Sequence, residues 1–556
     1  MNYLLPLLVV LPIAGAIVAA VLPRASTAKG WALGVAIATA VLAVLVGLRV
    51  PYTGAGGLVL EPSATWTDLG PVRLRLGIDG ISLFLVLLTA VMVPLAIAST
   101  TGGATPGKDR PRQFYAWMLA LLGFMLGVFL ARDLLLFYAF FELTLVPSFF
   151  LIGVWGGPER REAAGKFFLY TFAASVFTLA AIIYVGAKAG SFAMADAVHY
   201  AQHNLSRPEQ MMVAIGLLSA FVVKAAVFPL HTWLPLAYTE APTPVTVILA
   251  SVMPKLGTYG LLRLALPMGL VYNGYVDPAH ASSAHPQLLP TGLATPFPAL
   301  SIIVGVGCVA GILYGALIAW VQRDMKRLLA YSSFSHLGLC VLGLMAVNQV
   351  GAQGSLLYMV NHGLSTGALF LMVGMIFDRF GTHDRDALGG LAKSMPKLAF
   401  FLVLFAMSSI GLPGLNGFAS EFLTLQGTFG VSSPAGTIPG TSQLGPWFGA
   451  VAALGMILSA VYMLAMVNGL LFGPAKTPSG KGGARDLNGR EIAILAPLAV
   501  LVVVLGVVPT SLLRRAEGPI QNILMPTPVT DSNPMVAAPP TLPATALVAV
   551  DVARHG

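Results

Sequence analysis

The sequence predicts an all-α polytopic membrane protein of about fourteen transmembrane helices, and three observations predict it. Of its 556 residues, 57% are hydrophobic and only 10% charged, whereas an ordinary globular domain carries about a quarter charged residues. So few charges cannot cover a water-facing surface of this size, but they suit a lipid-facing one. Apolar stretches of about 20 residues, the length that crosses a hydrocarbon core of about 30 Å, recur along the chain. The basic residues fall in the links between those stretches, and they fall unevenly. If the helices alternate, nineteen Lys and Arg lie on one side and ten on the other. The positive-inside bias then puts both termini outside the cytoplasm.

The stretches run in order from 2–23. No basic segment precedes that one, the first basic residue being Arg24, so it reads as a retained helix and not a signal peptide. Next come 30–50 and 78–100, the latter entered at Asp79, where N-capping is a sufficient role for a carboxylate. Then follow 113–131, 133–156, 166–187, 211–236 and 243–266. After a connection at 267–296 come 297–320, 327–348, 352–377, 396–428, 446–472 and 491–512. Other longer connections lie at 51–77, 188–210 and 473–490. The tail from about 524 is proline-rich, and 525–545 cannot be a regular helix because proline removes amide donors and fixes φ. Prolines also interrupt two spans: Pro229 in the seventh and Pro413 in the twelfth. In lipid a broken helix persists only where protein or water re-satisfies its backbone.

Four ionisable residues cannot be placed in water. Glu142, Lys224 and Lys255 are mid-span, and Glu421 follows the break at Pro413. A central charge costs roughly 2.5–3.5 kcal/mol even on the lenient insertion scale. Structural salt bridges are the bland explanation; a chain of titratable sites facing a hydrated interior is the functional one. Two broken helices that each carry such a residue fit a transporter built from repeated halves. His336 and His362 are flanked by Ser, Asn and Gly, which leave room for water. His231 lies seven residues beyond Lys224, two helical turns away, as a further possible relay. Histidine exchanges protons near neutral pH.

Several chemistries are excluded. Cys308 and Cys340 are the two cysteines, too few to hold an iron–sulfur cluster or structural zinc by themselves. No soluble segment is long enough for a nucleotide or flavin site, so no cofactor is expected in this chain. The run from Gly157 to Lys166 has the wrong spacing for a phosphate loop. His199 and His203 lack a third metal ligand. The net charge of +9 is topogenic and does not point to nucleic acid.

The segment FVVKAAVFPLHTWLPLAYTEAPTPVTVILASVMPKLGTYGLLR (221–263) resembles the seventh and eighth helices of the antiporter-like subunits of respiratory complex I, NADH-quinone oxidoreductase. LLLFYAFFELTLVPSFFLIGVWG (134–156), YSSFSHLGL (331–339), NHGLSTGALFL (361–371) and GLPGLNGFASEF (411–422) fit the same family in the same order. The resemblance covers roughly residues 75–470. The family has three homologous subunits and is related to Mrp-type sodium/proton antiporters and membrane-bound hydrogenases. One of the three carries glutamate on the twelfth helix where the others carry lysine, and Glu421 occupies that position. The lack of a long C-terminal amphipathic helix sets the chain apart from a second.

The resemblance implies N-terminal helices over 1–112, two inverted five-helix repeats over 113–266 and 297–472, and a last helix and tail over 473–556. It implies that Glu142 pairs with Lys224, and that Lys255, His336 and His362 continue a polar axis to Glu421. It also implies proton translocation in a bacterial cytoplasmic membrane, beside neighbouring antiporter-like subunits and lipids, driven by redox chemistry in other subunits. The alternative is a subunit of an Mrp-type antiporter or membrane-bound hydrogenase. Two departures stand out. The family usually follows HTWLP with Asp-Ala-His, where this chain has Leu236, Ala237 and Tyr238; and Pro254 precedes Lys255, which predicts a more open eighth helix.

Overall fold

A computed structural model of the protein describes residues 3–50, 68–69, 72–100, 110–271, 297–430, 444–476 and 485–524. The proline-rich segment 525–545 lies outside the described residues, as does much of the connections at 51–77, 267–296 and 473–490.

The fold is that of an all-α polytopic membrane protein. Its helices are α1 (Leu4–Val21), α2 (Ala25–Gly47), α3 (Ser82–Ser99), α4 (Pro111–Leu130), α5 (Leu134–Leu143), α6 (Leu145–Trp155), α7 (Arg160–Ala189), α8 (Met194–His203), α9 (Arg207–Lys224), α10 (Trp233–Glu240), α11 (Thr243–Ser251) and α12 (Met253–Gly260). A π-helix, Leu261–Leu270, continues α12. Then come α13 (Pro298–Val321), α14 (Met325–Met345), α15 (Gln349–Phe380), α16 (Leu391–Ser394), α17 (Pro396–Ser409), α18 (Asn416–Phe429), α19 (Pro446–Leu471), α20 (Gly489–Val507) and α21 (Thr510–Leu524). The described β structure is one short antiparallel pair, Asp68–Leu69 with Val72–Arg73.

Twelve helices among the described residues are long and apolar enough to cross a membrane. The predicted spans missing from that twelve are 211–236 and 396–428, and both are in two pieces: α9 with α10, and α17 with α18. The span containing α11, α12 and the π-helix is wholly buried inside the bundle, and α14 and α15 nearly so. The outer helices keep lipid-facing residues such as Ile17, Phe177 and Ile457 exposed. The polar machinery therefore sits in a central row of helices, shielded by apolar ones.

Each break has a local cause. α9 ends at Lys224, Ala226 takes a φ of +56°, and the chain restarts at Trp233. The Val223 carbonyl, which loses its regular helical partner there, accepts the Ala226 amide at 3.0 Å and the Trp233 indole N–H at 2.9 Å, the satisfaction that a lipid interior demands. Between α17 and α18, Gly411 and Gly414 have φ of +75° and +90°, which glycine adopts without a Cβ penalty. The expectation that Pro254 opens the eighth helix meets a divide at Val252.

Three basic residues that the sequence placed in water are drawn into the bundle: Arg132 and Lys326 are buried and Arg263 largely so. N-capping also proves an incomplete account of Asp79. Its Oδ1 accepts from the Ile81 and Ser82 amides at 3.1 and 3.0 Å, but Oδ2 meets Arg132 at 3.1 Å and Arg263 more closely still. Arg132 sits between α4 and α5 and Arg263 in the π-helix, so one carboxylate ties three parts of the bundle. The connection at 188–210 contains α8, whose buried Gln202 donates to the Pro267 carbonyl at 2.9 Å. A short amphipathic helix, α21, follows the last predicted span.

Candidate functional site

Lys224 and Lys255 are both buried, at 1% and 0% exposure, and so is Glu421, at 1%. Glu142 is half-buried. The Lys224 ammonium donates to the Phe141 carbonyl at 3.1 Å and to Thr144 Oγ1 at 3.0 Å. It also lies 3.5 Å from the centre of the Phe141 ring, a cation–π contact. Thr144 is the residue between α5 and α6, so the helix break supplies the ammonium with its oxygens. The Glu142 carboxylate does not reach Lys224 directly, and its Oε1 is buried without a hydrogen-bond partner.

Lys255 occupies the first turn of α12. Ala250 stands four residues before Pro254, whose ring nitrogen has no proton to give its carbonyl. That carbonyl accepts from Lys255 Nζ at 2.8 Å instead. The other partner of the ammonium is His362 Nδ1, at 2.7 Å. The ring centres of His362 and His336 are 5.9 Å apart. His336 Nδ1 makes a close hydrogen bond with the Tyr358 hydroxyl and lies 3.9 Å from Glu421 Oε1. Tyr358 in turn donates to Glu421 Oε1 at 3.2 Å. Four elements, α12, α15, α14 and α18, thus bring Lys255, His362, His336 and Glu421 into one connected group.

A cavity of about 10 Å³, lined by His336, Tyr358, Asn361, His362, Ser365 and Glu421 among others, adjoins this group; that is room for about one water. The loop before α18 is fastened by Asn361 Nδ2 to the Asn416 carbonyl at 2.5 Å and by the Ser365 and Ser408 hydroxyls at 2.6 Å. A Cβ on Gly411 would collide with Glu421 Oε2. That glycine is needed both for its positive φ and for the space the carboxylate fills.

His231 stands apart from the group. It is buried and stacked on Phe334 with ring centres 4.1 Å apart, and its Nδ1 has no hydrogen-bond partner. Pro229 and the break it belongs to turn it away from the Lys224 ammonium. Sequence reasoning passed over Tyr358, which joins His336 to Glu421, and Tyr462, whose hydroxyl lies 3.3 Å from His336 Nε2 and 2.7 Å from Ser332 Oγ. Tyr358 precedes His362 by four residues in YMVNH, the spacing that puts two side chains on one helix face, and that signal was there to read. Tyr462 had no such signal, since its partners come from another helix.

The group comprises amines, carboxyls, imidazoles and phenols in contact, and such groups exchange protons. Known proteins share the framework. The family model described as NADH:quinone oxidoreductase/Mrp antiporter, transmembrane, matches residues 131–295 and again 288–445. The NADH-quinone oxidoreductase subunit M of Rhodobacter capsulatus is 37% identical over 535 residues, covering 93% of this chain and 96% of its own. Subunit M of Rickettsia typhi is 36% identical over 461 residues, covering 83% and 85%. A chain of respiratory complex I from Thermus thermophilus, solved with bound NADH, superposes with a TM-score of 0.76 at 29% identity, covering 94% of this chain and 99% of that one. With its two-fold match to the family model and these near full-length relatives, the chain belongs to the NADH:quinone oxidoreductase/Mrp antiporter transmembrane family, on its subunit M branch.

Proposed function

We propose that the chain is a membrane-arm subunit of a proton-translocating NADH-quinone oxidoreductase, and that it moves protons through Glu142, Lys224, Lys255, His362, His336 and Glu421 without holding a redox cofactor itself. The observation that carries this reading is the row of facing groups that leads from Lys255 to His362, across 5.9 Å between ring centres to His336, and on to Tyr358 and Glu421. Structural salt bridges would leave no reason for a lysine to face an imidazole. His231, stacked among aromatics, has no part in the run.

The proposed mechanism is electrostatic. A carboxylate near the Lys224 ammonium stabilises it, and withdrawal of that carboxylate frees the proton. The change of charge beside α12 then drives Lys255, whose proton passes to His362 and on to Glu421. Moving a charge against the membrane potential costs about 2.3 kcal/mol per 100 mV. That work comes from NADH–quinone chemistry in other subunits, with antiporter-like subunits L and N as neighbours. Taking each broken pair as one crossing gives fourteen crossings and both termini outside the cytoplasm of a bacterial inner membrane. The two matches to the family model support paired repeats over 113–266 and 297–472.

Isolation of the affinity-tagged chain from its native membranes tests the reading. It is expected to travel with flavin- and iron–sulfur-containing subunits and to pump protons when NADH reduces quinone. Recovery in a redox-free assembly that exchanges sodium for protons would assign it to the Mrp side of the family instead.

A further inference from the structure

The row from Lys255 to Glu421 lacks a hydrogen bond at its middle. His362 gives Nδ1 to the Lys255 ammonium at 2.7 Å, and its Nε2 has no hydrogen-bond partner among the described residues. His336, with its ring centre 5.9 Å away, gives Nδ1 to Tyr358 and has Nε2 3.3 Å from the Tyr462 hydroxyl. No hydrogen bond joins the two imidazoles.

Two more buried atoms share the condition of His362 Nε2: Asn361 Oδ1 and Glu421 Oε2. The three residues are 6%, 1% and 1% exposed in that order, and all three line the same cavity of about 10 Å³. The orientation of the Asn361 amide is fixed. Its Nδ2 faces the Asn416 carbonyl at 2.5 Å and Ser420 Oγ at 3.2 Å. A carbonyl can only accept, so the nitrogen must be the atom on that side, and Oδ1 is the atom left over. The tautomer of His362 is fixed likewise. While Lys255 is an ammonium, Nδ1 must accept from it, so the ring proton sits on Nε2.

The three atoms are therefore one donor and two acceptors. A water molecule complements that set, accepting from His362 and donating one proton each to Asn361 and Glu421. Buried waters make about three hydrogen bonds to polar groups that lack other partners, and a cavity of roughly 10–15 Å³ holds one. Buried polar atoms are ordinarily bonded to protein or to water.

We propose that one water is held here by His362, Asn361 and Glu421, that it links His362 to Glu421 without His336, and that Asn361 is its positioning residue. This rests on the proton-translocation reading above. In one passage the Lys255 ammonium gives a proton to Nδ1, Nε2 gives its own to the water, and the water gives one of its protons to the Glu421 carboxylate. Lys255 is left a neutral amine, His362 keeps one proton, now on Nδ1, and the water is unchanged. Two links then run side by side from His362, one through this water and one through His336 and Tyr358.

Two experiments on the intact complex test this. A cryo-EM map that resolves ordered waters is expected to show one peak within hydrogen-bond distance of His362 Nε2, Asn361 Oδ1 and Glu421 Oε2. No peak there, in a map that shows other buried waters, would overturn the site, and so would a peak that misses Asn361. The map is read without turnover, so it stands whether or not the chain pumps. The second experiment measures NADH-driven pumping in sealed vesicles. Asn361→Leu replaces the acceptor with a methyl group, and His336→Gln can bond both tyrosines but does not relay. Each alone is expected to lower pumping only about twofold to threefold, and the pair about 10²-fold, the lower range for loss of a positioned acid–base group. Losses that simply multiply would mean that Asn361 only braces α18, and would overturn the second link. Wild-type pumping by the double variant would overturn the link together with the proton-translocation reading of this group, while leaving the peak in the map.

Discussion

Lys255 Nζ and His362 Nδ1 meet at 2.7 Å in the buried centre of the bundle. An ammonium has only protons to give. The contact therefore holds if His362 Nδ1 accepts, or if a neutral Lys255 accepts from a protonated Nδ1. Both groups cannot be charged without donor facing donor. One proton is shared between two positions, and transfer along the contact leaves an uncharged amine behind.

His362→Gln separates holding that proton from passing it on. A glutamine oxygen can accept from Lys255 and satisfy the ammonium, but an amide does not relay a proton at neutral pH. The complex is expected to assemble, while pumping in sealed vesicles falls by about 10²-fold, the lower range for loss of a positioned acid–base group. Pumping at the wild-type rate would remove His362 from the path.

Lys224→Ala is expected to lower both pumping and coupled quinone reduction strongly, with the complex still assembled, because it removes the charge that α12 packs against. Glu142→Gln should be comparably damaging and Glu142→Asp milder. No direct bond joins the Glu142 carboxylate to Lys224, so an effect exerted through charge would largely survive shortening of the carboxylate. Equal losses in the Gln and Asp variants would point to strict geometry instead.

Tyr358→Phe deletes one hydroxyl and little volume. That hydroxyl joins His336 Nδ1 to Glu421 Oε1, and the direct distance between those two atoms is 3.9 Å. A water in the adjoining cavity can span it, so a partial loss of pumping is expected, with a larger solvent deuterium isotope effect than in the wild type. An unchanged rate and isotope effect together would show that Tyr358 only packs.

The membrane class, most of the spans and the polar residues inside them were legible because lipid imposes a one-dimensional rule on sequence. Apolar runs must be long, and a charge inside one must have a reason. What failed lies in three dimensions. Arg132 and Arg263 stand at span ends, where basic residues normally mark water, and only the fold brings Asp79 between them. Lys326 reads as a topogenic lysine but caps carbonyls at the end of α10. His231 has the spacing of a relay, but spacing assumes an unbroken helix and the chain breaks between it and Lys224. The division at Val252 followed from Pro254, whereas its consequence, a carbonyl freed for Lys255, needed coordinates.

Asp79→Ala tests stability, not transport. It removes an N-cap and leaves the Arg132 and Arg263 guanidinium groups without their shared carboxylate. Breaking a buried ion pair by deleting one partner costs about 3–5 kcal/mol. The isolated complex is expected to lose this chain at a lower temperature, seen in a thermal-shift assay. Asp79→Asn, which keeps the cap acceptor, should fall between. Equal melting of Asp79→Ala and wild type would mean that the arginines are fully satisfied by other groups.

Glu421 gives the sharpest test, because it is the acidic end of the connected group. Its carboxylate is buried beside Gly411 and bonded to Tyr358, with Oε2 unpartnered. A terminal site must take a proton from the chain of contacts and release it outward. Glu421→Gln keeps the size and the acceptor for Tyr358 but cannot ionise, so pumping should fall sharply with the complex assembled. Glu421→Lys keeps titratability and reverses the charge of the protonated state. It also brings a longer side chain toward Gly411, where a single added Cβ already collides with the carboxylate, so some loss is expected from packing alone. A Glu421→Lys variant that pumps better than Glu421→Gln would show that titration matters more than sign. Full activity of Glu421→Gln, measured with a proton-gradient dye in sealed vesicles, would take Glu421 off the path and leave Tyr462 and Ser332, on the other side of His336, as the continuation to examine.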